Sequence, residues 1–95
     1  MKFTHTDAND TTGTHLQGYL RGTYDEIVAV FGAPDHVQAD GKVQAEWCLK
    51  FADGTIATIY DWKAGVSAEE VEEWNVGGFD MNAYHRIATT FLRGE

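Results

Sequence analysis

The chain is poor in the residues that staple, break or electrify a small protein. It has one cysteine, Cys48, so no disulfide can form within it, and a reducing compartment is expected. It has one proline, Pro34, and one serine, Ser67. A lone serine in an acidic segment removes the usual hydrolase triad. Lys and Arg together number 7 against 15 Asp and Glu, for a formal net charge of −8. That deficit of cations disfavours phosphate backbones and anionic membrane surfaces as partners. No apolar run approaches the length of a membrane span. The first residues, MKFTHTDANDTTGTH, carry no apolar signal-peptide core, so a cytoplasmic location is expected.

What is present is globular in character. In 95 residues, 43% are hydrophobic and 13% aromatic, which suits one small domain with a modest core. Met1 to Gly13 is polar and without periodicity and reads as a flexible tail. Residues 14–95 read as one α+β domain.

The strongest pattern runs from Val43 to Trp62. Val43, Ala45, Trp47, Leu49 and Phe51 alternate with polar residues, broken only by Cys48. Period two marks a half-buried strand. Asp53-Gly54 signals a turn, and Thr55 to Trp62, rich in β-branched and aromatic residues, is the returning strand. Two registers fit. A two-residue turn sets Glu46 against Asp61 and Cys48 against Ile59. A three-residue loop with Gly54 left-handed changes the face of the second strand.

Around this hairpin lie a short strand at Leu16–Leu20, a helix over Thr23–Phe31, a strand at Glu72–Gly77 and a helix over Met81–Leu92. The first helix has a capping box at Thr23 and Glu26, with Gly32 and Pro34 ending it. Asp80 caps the last helix and Gly94 closes it. Asp35 to Gly41 reads as a polar loop. The predicted fold is α+β: a mainly antiparallel sheet of three to four strands with two helices packed on one face.

No residue set makes a compelling catalytic site. Opposed Glu46 and Asp61 could act as acid and base or hold a metal, but with no third ligand or nucleophile indicated, two solvated carboxylates beside Lys50 and Lys63 are the preferred reading. His5, His15, His36 and His85 lack metal-ligand spacing, so no metal and no cofactor are expected. Cys48, between Trp47 and Leu49, reads as a small packed residue rather than a nucleophile. Gly77-Gly78 before a helix could offer amides to an anionic ligand such as a nucleotide, against the plainer reading of a turn. Glu69, Glu70, Glu72 and Glu73, flanked by Trp62 and Trp74, read either as a solvated face or as an acidic surface with aromatic anchors for a basic protein. The expectation is a non-enzymatic binding protein using those six residues. A small-ligand binder that uses the Gly77-Gly78 turn and an aromatic wall, within one chain or across a homodimer, is the second reading.

Two resemblances bear on this. GYLRGTYDEIVAVFGAPD, AEWCLKFADGTIATIYDWK and EEWNVGGFD, spanning Gly18 to Asp80, resemble small accessory proteins encoded by tailed bacteriophages. That group has no established catalytic residues. The resemblance implies a protein acting in the host cytoplasm by binding and blocking a host or defence protein. Separately, the stretch from Gly22 to Pro34 followed by Trp47 looks like the helix–strand element of small outer-membrane assembly lipoproteins and β-lactamase inhibitor proteins. These are binding modules built on a sheet, and with no signal-peptide pattern or lipidation cysteine read in this sequence, their location is not expected to transfer.

Overall fold

The computed structural model describes residues 1–38 and 42–93. Six strands form one antiparallel sheet: β1 (Phe3–His5), β2 (His15–Arg21), β3 (His36–Val37), β4 (Ala45–Phe51), β5 (Ile56–Tyr60) and β6 (Glu73–Gly78). The spatial order is β1-β4-β5-β6-β2, with β3 also paired to β4. Three helices accompany them: α1 (Ala8–Thr11), α2 (Tyr24–Phe31) and α3 (Met81–Arg93). The expected three to four strands and two helices are therefore too few, although the α+β class is correct. The difference comes from very short elements. The expected N-terminal tail supplies β1 and α1, and the expected polar loop supplies β3. None is long enough to show a hydrophobic period. Residues 39–41 of that loop, and Gly94 as the closing residue of the last helix, lie outside the described residues.

The hairpin resolves to the three-residue loop. Phe51 and Thr55 bracket Ala52-Asp53-Gly54, with the Phe51 N–H donating to the Thr55 carbonyl at 2.8 Å. Gly54 has φ +89°, a left-handed conformation that a side chain would oppose. Cys48 thus pairs with Thr58 and Glu46 with Tyr60. The expected Glu46–Asp61 and Cys48–Ile59 pairs are not formed, because the extra loop residue shifts β5 by one position.

The pairing sorts the strands into two faces. The front carries Trp47, Leu49, Phe51, Ala57, Ile59, Trp74 and Val76, all buried. It packs against Ile27 and Phe31 of α2 and Ala83 and Ile87 of α3. Trp47 and Trp74 meet edge to face, with ring centroids 5.3 Å apart. Their indole N–H groups donate to Gly32 and Gly22 carbonyls at 2.8 and 3.0 Å. Those two glycines flank α2, so the tryptophan pair fixes both ends of that helix. The capping box holds as expected: Thr23 Oγ1 accepts from the Glu26 N–H, and Glu26 Oε1 accepts from the Thr23 N–H. On α3, Asp80 accepts from the Asn82 N–H, as a cap should. Met81, the first residue of α3, is exposed, and Thr90 near its end is buried.

Candidate functional site

The back of the sheet is built from the residues between the core positions. Glu46, Cys48 and Lys50 point this way on β4, with Thr58 and Tyr60 opposite them on β5 and Gly77 and Asn75 beyond on β6. Tyr19 follows on β2 and His36 on β3. α1 lies against β5 and covers part of this face. Cys48 is buried, and the Thr6 N–H of the N-terminal segment donates to its carbonyl at 2.8 Å. Tyr19, by contrast, is 54% exposed. One face of the sheet is thus sealed by helices and the other only partly roofed.

At the roof's edge stand three groups of different chemistry. His36 is the cross-strand partner of Glu46, and Cys48 lies two residues further along the same face. One donor atom from each lies within 4.8 Å of the other two. Burial raises the Glu46 carboxyl above its usual range, while neighbouring His36 opposes that rise. Burial, then the charges of Glu46 and Asp35, push the Cys48 thiol up to about 12. A neutral thiol is a poor nucleophile, so Cys48 as it stands is not poised for covalent catalysis.

Asp35 fastens this corner. Its N–H donates to the Glu46 carbonyl at 2.8 Å, and its Oδ2 accepts the Cys48 N–H at 2.8 Å. His5 bridges the Asp35 carboxylate and the Phe31 carbonyl, with Nδ1 2.8 Å and Nε2 2.7 Å from them. The two-residue strand β3 is held by these side-chain bonds as much as by its own ladder. The sequence reading missed the His36, Glu46 and Cys48 grouping because it arises from strand pairing, and its separations along the chain match no ligand motif.

The expected site residues fare differently. Glu69, Glu70, Glu72 and Glu73 are exposed. Glu69 and Glu70 lie in a short 3-10 turn (Ala68–Glu70) packed beside α2. The exposed Asp25 and Glu26 of that helix's first turn therefore extend the acidic end of the molecule. Arg21, 3.9 Å from Glu73, is their only ion-pair partner among the described residues. Arg21, Gly22, Thr23, Glu26 and Glu72 line a shallow cleft there. Trp62 is 51% exposed, with Lys63 and Lys42 Nζ 5.5 and 6.0 Å from the ring centroid. Trp74 is fully buried against Trp47 and cannot anchor a partner. Its alternation with Glu73 and Asn75 marks it as a front-face residue.

Gly77 and Gly78 do not form the expected turn. Both belong to β6, paired with Thr58 and Ala57 on one side and Leu16 and His15 on the other. They are buried, and a strand interior gives an anion no cradle of free amides. The strand there needs glycine for space: a Cβ on Gly77 would meet Thr58 Oγ1 at 2.5 Å, and one on Gly78 would collide with Ala83 Cβ. Asp61, the other half of the expected acid–base pair, is buried away from Glu46. Its Oδ1 accepts the Gln44 and Ala45 N–H groups at 2.7 and 3.0 Å. That bonding gives it a structural task at the start of β4.

Fold and site together define a small α+β domain with one packed sheet face, one partly open face and an acidic end. No family model, no curated protein and no solved structure matches the chain. Among the described residues, no helix is long and apolar enough to cross a membrane.

Proposed function

We propose that this domain is a non-enzymatic binding module for a protein with a basic surface. The observation that carries the reading is the acidic end. Asp25, Glu26, Glu69, Glu70, Glu72 and Glu73 are exposed around the start of α2, with Arg21 as their ion-paired cation. Like charges held together on a rigid scaffold cost folding energy that a cationic partner would relieve. They also accelerate encounter with such a partner. Trp62 supplies an exposed aromatic surface on the segment leading to this end, and Lys42 and Lys63 steady its ring. The likeness in sequence to small phage accessory proteins supports a host or defence protein as the partner, met in the host cytoplasm. Inhibition by occupying that partner's basic site is the mode of action this chemistry serves best.

The test is charge reversal. The Glu69→Lys, Glu70→Lys, Glu72→Lys, Glu73→Lys variant should fold as the parent does by circular dichroism. It should lose capture of the partner identified by mass spectrometry from host lysate. With that partner purified, association should slow steeply as salt rises, because the attraction is screened over about 8 Å at physiological ionic strength. Capture undiminished by the reversal, or insensitive to salt, sinks the reading.

A further inference from the structure

We propose that His36, Glu46 and Cys48 form a binding site for a thiophilic divalent cation, with zinc as the best-suited ion. The donor set is one imidazole nitrogen, one carboxylate oxygen and one sulfur, the mixture that Zn²⁺ accepts in tetrahedral sites. One donor atom of each residue already lies within 4.8 Å of the other two. Zinc bonds of roughly 2.0–2.3 Å place neighbouring donors about 3.2–3.6 Å apart, so a pair at the 4.8 Å limit must close by about 1.2–1.6 Å. The exposed His36 ring can supply that movement. The two β4 ligands alternate on one strand, and the third faces them from the paired residue of β3, so the backbone itself sets the spacing.

A second observation is the support behind the ligands. Asp35, the residue before His36, bonds the Glu46 carbonyl and the Cys48 N–H at once. His5 in turn holds the Asp35 carboxylate. Without those bonds a two-residue strand would have little to fix it, and His36 would not face the other two donors. Three protein ligands leave one tetrahedral position, and the exposure of His36 places it toward solvent. Water, or a side chain from a bound partner, would complete the shell. The site lies on the back of the sheet, so it stands or falls independently of the acidic end.

Cobalt(II) is the probe of choice, because a sulfur–cobalt bond gives a near-ultraviolet charge-transfer band and the chain has a single cysteine. The full chain titrated with cobalt(II) should develop that band at one ion per chain, and zinc(II) should bleach it. Cys48→Ser should abolish the band. His36→Ala should weaken zinc binding, read by calorimetry, by more than about tenfold, since even the loss of an outer support to a ligand costs that much. His85→Ala, on the exposed side of α3, should change nothing. No charge-transfer band at excess cobalt overturns the proposal, as does a zinc affinity unchanged in His36→Ala. Should Cys48→Ser fail to fold, His36→Ala decides, because that side chain is exposed and the core does not need it.

Discussion

The front of the sheet buries Trp47, Leu49, Phe51, Ile59 and Val76 under α2 and α3, while the back of the same strands carries Glu46, Cys48, Thr58, Tyr60 and Asn75 under little more than one turn of helix. Alternation along each strand makes both faces from one stretch of sequence. Stability and specific chemistry are therefore separated by a single residue step. The front supplies the apolar burial that holds a 95-residue domain together. The back and the acidic end hold groups that a core could not tolerate, because ionisable side chains buried without partners are costly. Substitutions on the two sides should accordingly read out in different assays.

The largest effect is expected at the aromatic pair. Trp47→Ala removes a fully buried ring, its edge-to-face contact with Trp74 and the indole bond to the Gly32 carbonyl. A loss of about 3–5 kcal/mol in denaturant unfolding is expected. A loss near that of an exposed residue would mean that α2 is not held by the tryptophans.

Adjacent glycines make the sharpest test of the two faces. Gly78→Ala drives a methyl into Ala83 on α3, where a rigid Cβ and a packed helix must give way together. A cost of about 1–3 kcal/mol follows. Gly77→Ala meets Thr58 Oγ1 on the back at 2.5 Å, which a χ1 change of that one buried side chain must relieve, and the alanine recovers some chain entropy. Its cost should be the smaller of the two, because one side chain rather than a packed helix has to move. Equal losses at the two positions would show that the back is packed as firmly as the front.

Much of the front was legible before the fold was known. Trp47, Leu49 and Phe51 announce it by period two, and Thr23 and Glu26 announce α2 by a reciprocal cap that needs only local geometry. The back was not legible, for two physical reasons. Its register depends on one loop residue, and Asp53-Gly54 is compatible with both the two- and three-residue turns. Its outer edge depends on β1 and β3, which are too short to carry a period and exist through contacts such as Asp35 to Cys48. Trp74 shows the converse: beside glutamates in sequence it resembles a surface anchor, yet the β6 alternation sends it inward.

Trp62 lies on the other side of that line. Its ring is half exposed, with lysine ammonium groups as its aromatic-interaction partners. Trp62→Ala should shift unfolding by no more than about 0.5 kcal/mol. If it is an anchor, the same change should weaken partner binding at least about tenfold, as truncation of buried interface tryptophans does. A stability loss like that of Trp47 would move Trp62 into the core class and remove it from the binding surface.

The smallest expected effect is at the latch between hairpin and helix. Arg86 of α3 donates through Nε and Nη2 to Asp53 Oδ2, at 2.9 and 2.8 Å, tying the β4–β5 loop to the helix that covers the front. Hydrogen bonds from Thr55, side chain and backbone, and then the Arg86 guanidinium hold the Asp53 carboxyl down at about 2. A carboxyl depressed in the folded state stabilises the fold fully above its unfolded pKa, near 3.9, and that contribution is lost as pH falls through the folded value. Wild type should therefore lose a small increment of stability between about pH 4 and pH 2 that Asp53→Asn lacks. Because the pair is at the surface, added salt should shrink the difference. Chemical denaturation across that range checks it: parallel pH curves for the two proteins would mean that the loop is held by the Thr55 turn geometry alone, with the front face closed by packing and no help from charge.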